Sequence, residues 1–188
     1  MAAGLAIAIG AVVLHGSASP SAENNALRFA AEMVFRGALA AYLLFYLARP
    51  SGWLLPARVA MFFARERRGF AFSFVSIYTV FLGCALAANV LSASSSLPTI
   101  VLTALSALVL ASIVAGEWSG RIQSSHWRTA LRAGESIAVA FFWLVYVADA
   151  FAHLAGSQSP DRYHAAALAA LVLALIVRIA GGNVAAGH

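Results

Sequence analysis

Lysine is absent from the 188 residues, so a formal net charge of +5 rests on arginine alone, which we read as compositional bias rather than mechanism. Charged residues make up only 10% of the chain. A water-soluble domain is about a quarter charged, so an ordinary solvated surface is excluded. Cysteine occurs once, as Cys84. A single thiol excludes a disulfide frame and any cysteine-based metal site within one chain. Inside an apolar run it reads as a buried structural group. The chain also lacks a glycine-rich phosphate loop, a dinucleotide fingerprint and any His-x-x-x-His or Glu-x-x-His pattern. A soluble cofactor such as NAD or FAD would need a partner protein. No inter-run segment is long enough to fold outside a membrane, and no internal repeat is evident. Without a soluble domain to hold a duplex, the arginines do not read as a nucleic-acid surface.

What is present is hydrophobic: 62% of the residues, with a mean hydropathy of +0.86. Runs of about 19 to 23 apolar residues match the roughly 30 Å hydrocarbon core of a bilayer. Backbone polar groups in lipid are satisfied only within helices or closed barrels, and these runs are too long and unalternating for barrel strands. The sequence predicts an all-α polytopic membrane protein, one domain over residues 1–188. Its six transmembrane helices fall near 2–15, 28–48, 69–91, 98–116, 134–156 and 162–180. The first is short, about 20 Å of helix. Ser17 to Ala22 after it resembles a signal-peptidase site, but the basic n-region of a signal peptide is missing.

Cytoplasmic loops collect basic residues. Arg49, Arg58, Arg65, Arg67 and Arg68 lie between spans two and three, and Arg121, Arg128 and Arg132 between four and five. Arg178 ends span six, whereas the other loops carry only Arg28 and Arg162. Both termini are therefore expected in the cytoplasm, in a bacterial-type inner membrane, with the arginines near anionic headgroups. Trp53, Trp118 and Trp127 flank spans on the same side, where indole rings favour the headgroup layer. Ser76, Thr79, Gly83 and Ala87 on span three, and Thr103, Ala107, Ala111 and Ala115 on span four, recur at helical spacing. Such small-residue stripes let helices approach closely.

Ionisable groups within the membrane are costly and require partners. Glu32 and Arg36 are one helical turn apart on span two, as are Asp149 and His153 on span five. Counted from the outer ends, Glu32 and His153 lie at roughly 5 Å depth and Arg36 and Asp149 at roughly 10 to 12 Å. An Arg36–Asp149 ion pair is expected in the outer half of the bundle, with Tyr146 on the face of Asp149 and His15 at the same level. The cluster reads as a latch joining two helices or as a proton or ligand site. Glu135 is expected to cap span five against the helix dipole. His126, His164 and His188 are expected to be solvated or interfacial.

Leu27-Arg28 through Arg36, Leu47-Ala48-Arg49-Pro50, Arg67-Arg68-Gly69-Phe70 opening span three, and Trp127-Arg128 with Gly134 opening span five form an ordered series. It resembles the ferric-reductase-like transmembrane family, to which the heme-binding membrane subunit of periplasmic methionine sulfoxide reductase belongs. The resemblance covers about residues 26 to 180. It implies a six-helix bundle that holds b-type heme between histidines and passes electrons across the membrane. Where that family carries the ligand histidines, this chain has Ser76, Thr79 and Leu131, none of which is a histidine ligand to heme iron.

Three functions follow as expectations. The first is a heme-free structural or accessory subunit of a larger membrane complex, with no catalytic activity of its own. The second is an electron-transfer protein holding heme b through His15 and His153. The third is a proton-coupled transporter working through Glu32, Arg36, Asp149 and His153.

Overall fold

The structure is a computed structural model that describes residues 20–48, 57–91, 97–119, 122, 124–156 and 162–186. These residues form five α-helices: α1 (Pro20–Leu47), α2 (Ala57–Leu91), α3 (Leu97–Trp118), α4 (Ser125–Gly156) and α5 (Arg162–Ala186). All five are long and apolar enough to cross a bilayer, so the protein is a polytopic membrane protein. The expected short helix near 2–15 lies outside the described residues, as do His15, Arg49, Trp53, Arg121 and His188.

Proline punctuates the helices and interrupts none of the five. Pro20 is the first residue of α1 and Pro98 the second of α3, positions where the missing N–H has no intrahelical role. Pro50, Pro56 and Pro160 fall between helices. Helices α2 and α4 begin at Ala57 and Ser125, about three turns ahead of the expected spans. The apolar run marks only the part matched to lipid. The preceding Ala-Arg-Val-Ala-Met segment of α2 is built mostly of good helix formers and continues the helix beyond it. At 35 residues, α2 is about 52 Å long.

Each helix turns one stripe inward. On α4 the buried stripe is Glu135, Ala138, Val139, Phe142, Tyr146 and Ala150, while Ile137, Leu144 and Phe151 lie exposed at seven-residue intervals. That period of two turns is the lipid-facing side of a helix whose other side is packed. On α5 the inward stripe runs His164, Ala167, Leu171 and Ala174. Helices α1 and α2 make the broadest contact, α4 packs against α3 and α5, and α1 also touches α5.

The centre of the bundle is aromatic. Phe74 meets Phe142 edge-on at 4.9 Å between ring centroids, Tyr78 meets Phe142 at 4.8 Å, and Phe35 lies 4.8 Å from Tyr146. Tyr42 touches Tyr46, Phe74 and Tyr146 and donates its hydroxyl to the Val139 carbonyl at 2.6 Å. Rings from α1, α2 and α4 thus fill the middle, and the Tyr42 hydroxyl ties α1 to the backbone of α4. Trp143 makes the corresponding tie to α5 by donating Nε1–H to the Leu171 carbonyl at 3.2 Å.

Candidate functional site

Two polar clusters lie at opposite ends of this aromatic core. At the arginine-rich end, Arg67 of α2 forms ion pairs with Glu135 of α4 and, at 2.9 Å, with Glu117 of α3. Arg68 approaches Glu117 at 3.9 Å from the other side. Both carboxylates are almost wholly buried, Glu135 at 1% exposure and Glu117 at 6%. The Arg67 guanidinium also lies 5.4 Å from the centroid of the Phe45 ring on α1. One side chain therefore engages three other helices. A buried carboxylate is tolerable only where charge and hydrogen bonding are returned by such a partner.

The expected capping role of Glu135 is corrected by this geometry. Because α4 begins at Ser125, Glu135 sits about 15 Å inside the helix, where the dipole of the first turn no longer acts. Gly116 makes the contact possible. A Cβ there would sit 2.6 Å from the Glu135 Cβ and 2.8 Å from its Oε2, closer than side chains approach. In the sequence Gly116 ends the fourth apolar run and Glu117 follows it in the loop, so neither residue by itself marks this contact. The available signal was the pairing of two carboxylates with Arg67-Arg68 at the same predicted level. A cleft of about 430 Å³ opens beside the cluster, lined chiefly by Arg65, Arg67, Arg68 and Arg132 with Glu117 and Ser119.

At the opposite end, the structure brings together Glu32 and Arg36 of α1, Asp149 and His153 of α4, and Tyr163 and His164 of α5. Arg36 pairs with Glu32 one turn before it, and its guanidinium lies 4.3 Å from the Tyr163 ring centroid. Asp149 directs one carboxylate oxygen toward His153 Nδ1 at 3.5 Å and the other toward His164 Nε2 at 3.9 Å. The two imidazoles stack with centroids 4.1 Å apart and planes within 4°. Glu32 and Asp149 line the same cleft. The depths read from the sequence thus converge as expected, but the close ion-pair partners differ. Arg36 finds its carboxylate on its own helix, one turn away, and Asp149 finds its imidazole neighbours on α4 and α5.

His164, expected to be solvated or interfacial, lies in the first turn of α5 and is buried at 6% exposure. His126 is in the first turn of α4 and exposed. Tyr146 shares the Asp149 face but points into the aromatic core, with its hydroxyl buried and making no hydrogen bond. Two clefts, of about 300 and 390 Å³, share Asp149, Phe35, Phe81 and Ala85 in their walls.

The positions where the resemblance would put heme ligands lie away from both clusters. Ser76 and Thr79 are on the exposed side of α2, and the Thr79 hydroxyl donates to the Val75 carbonyl of its own helix at 2.7 Å. Leu131 is half-buried in the third residue after Arg128 of α4. Gly83 and Ala87 continue the exposed side of α2, and Ala107 and Ala111 are exposed on α3. Thr103 and Ala115 of α3 are half-buried, so the stripe on α2 and the middle of the one on α3 face away from the described helices. Aromatic rings and alanines on other faces make the helix contacts instead. Trp118 and Trp127 are exposed at the arginine-rich end, as headgroup anchors would be. Compared with protein-family models, curated proteins and solved structures, the chain matches none of them.

Proposed function

We propose that the chain is a helical accessory subunit of a larger membrane assembly, laid out like the ferric-reductase-like family but without its heme site. The arginine-rich end faces the cytoplasm in this reading. The observation that carries it is the outward stripe of Ser76, Thr79, Gly83 and Ala87 on α2, which no described helix covers. A Cβ added at Gly83 would have nothing within 4 Å. Flat, small-residue faces are where membrane helices of different chains approach closely. The interior supports a non-catalytic role, because tyrosine and phenylalanine rings from α1, α2 and α4 occupy the space that a porphyrin between those helices would need.

The test is the mass of the particle that holds the chain after extraction into native nanodiscs. A particle heavier than the single chain, reduced to the single chain by Gly83→Leu while thermal stability is kept, supports the subunit reading. A lone chain in the unmutated protein removes it. An absorption spectrum of the same particle discriminates the electron-transfer alternative: a strong Soret band lost in His153→Ala would favour heme held by His15 and His153.

A further inference from the structure

We infer that Asp149, His153 and His164 form a binding site for one divalent transition-metal ion, of which zinc is the best match in ligand chemistry. The inference does not depend on the subunit reading. One ligand atom from each residue can be chosen so that all three lie within 4.8 Å of one another. In a tetrahedral zinc site with bonds of about 2.0 to 2.1 Å, ligand atoms are roughly 3.3 Å apart. The remaining approach falls to the side chains. The backbone has already made the long-range arrangement, by bringing the last turns of α4 beside the first turn of α5.

Three further features fit a metal. The Asp149 carboxylate already stands beside both imidazoles, 3.5 Å from His153 Nδ1 and 3.9 Å from His164 Nε2, so the three groups adjoin before any ion arrives. His153 Nδ1–H donates to the Asp149 carbonyl at 2.9 Å, which fixes the ring and leaves Nε2 with its lone pair. Metal-ligating histidines almost always have such an orienting bond on the other nitrogen. The burial is graded, with His164 at 6% exposure, Asp149 intermediate and His153 exposed. The ion would therefore enter past His153 and rest against α5. Two imidazoles and a carboxylate supply nitrogen and oxygen donors suited to zinc. Three protein ligands leave a fourth position to water. Because Arg36 is already paired with Glu32, its charge is partly neutralised beside the incoming cation.

The experiment uses the full chain without a histidine tag, in nanodiscs, stripped with a chelator and titrated with Zn²⁺ by calorimetry. Binding of one Zn²⁺ per chain is expected, weakened about 100-fold or more by His153→Ala and by Asp149→Asn. Co²⁺ should give visible d–d absorption of tetrahedral intensity, lost in His153→Ala. His153 is exposed, so its substitution disturbs the packing less than that of buried His164 and decides the matter even where His164→Ala fails to fold. Absence of stoichiometric binding overturns the site. So does binding that His153→Ala and Asp149→Asn leave unchanged, which would place the ion elsewhere on the chain.

Discussion

Arg67 of α2 forms an ion pair with Glu135 of α4, 68 residues further along the chain, at a level where Glu135 has almost no contact with solvent. Removing one partner of a buried pair leaves the other charge uncompensated, at a cost of about 3 to 5 kcal/mol. Arg67 is one-fifth exposed and retains Glu117, so the lower part of that range applies. Glu135→Ala is expected to lower the unfolding midpoint in detergent clearly, and Glu135→Gln to lower it less. A midpoint unchanged in both would dismiss the pair as a stabilising contact.

The Gly116 prediction is steric. Gly116→Ala places a methyl group against the Glu135 side chain and should cost about 1 to 3 kcal/mol, the usual penalty of overpacking. Gly37→Ala is the control, because nothing lies within 4 Å of the added carbon. Thermal melts of the two variants should separate them; equal melts would mean that α3 and α4 do not approach at Gly116.

Two tyrosines of the core predict opposite outcomes for the same change. Tyr42→Phe removes the hydrogen bond to Val139 and should cost about 1 kcal/mol. Tyr146→Phe removes a buried hydroxyl that makes no hydrogen bond and should be neutral or stabilising. Chemical or thermal denaturation of each variant checks the contrast, and a larger loss in Tyr146→Phe would reverse the assignment.

The partners of Arg36 are separable by double-mutant cycles on unfolding free energy. Coupling of Arg36→Ala with Glu32→Ala should exceed its coupling with Asp149→Ala, because the close ion pair is made with Glu32. The reverse order would restore the Arg36–Asp149 latch expected from depth alone.

Fold class was the most legible property, since five of the six apolar runs became helices and the remaining one lies outside the described residues. Depth counting was also informative: it grouped Glu32, Arg36, Asp149 and His153 at one end. It failed at pairing. One-dimensional depth carries no rotation about the helix axis, and so could not show that His164 faces Asp149 while Arg36 turns to Glu32 and Tyr163. The same gap hid Glu117 and Glu135, whose partner Arg67 was assigned to a solvated loop by its charge. Hydropathy ends a span where lipid ends, whereas α2 and α4 continue past it as helix and carry Arg67 and Glu135 into mutual reach. Small-residue spacing identified real stripes on α2 and α3 but not which way they face.

The triangle of Arg67, Glu117 and Glu135 bears on biogenesis. Its cation arrives with the α1–α2 hairpin and both anions with α3 and α4, so a ribosome delivers an electrically incomplete half first. That half must wait in the bilayer with an exposed guanidinium until its complement is threaded in. Two fragments divided between Ser92 and Ser96 should accordingly rescue each other when made together, and each should be cleared by membrane proteolysis when made alone.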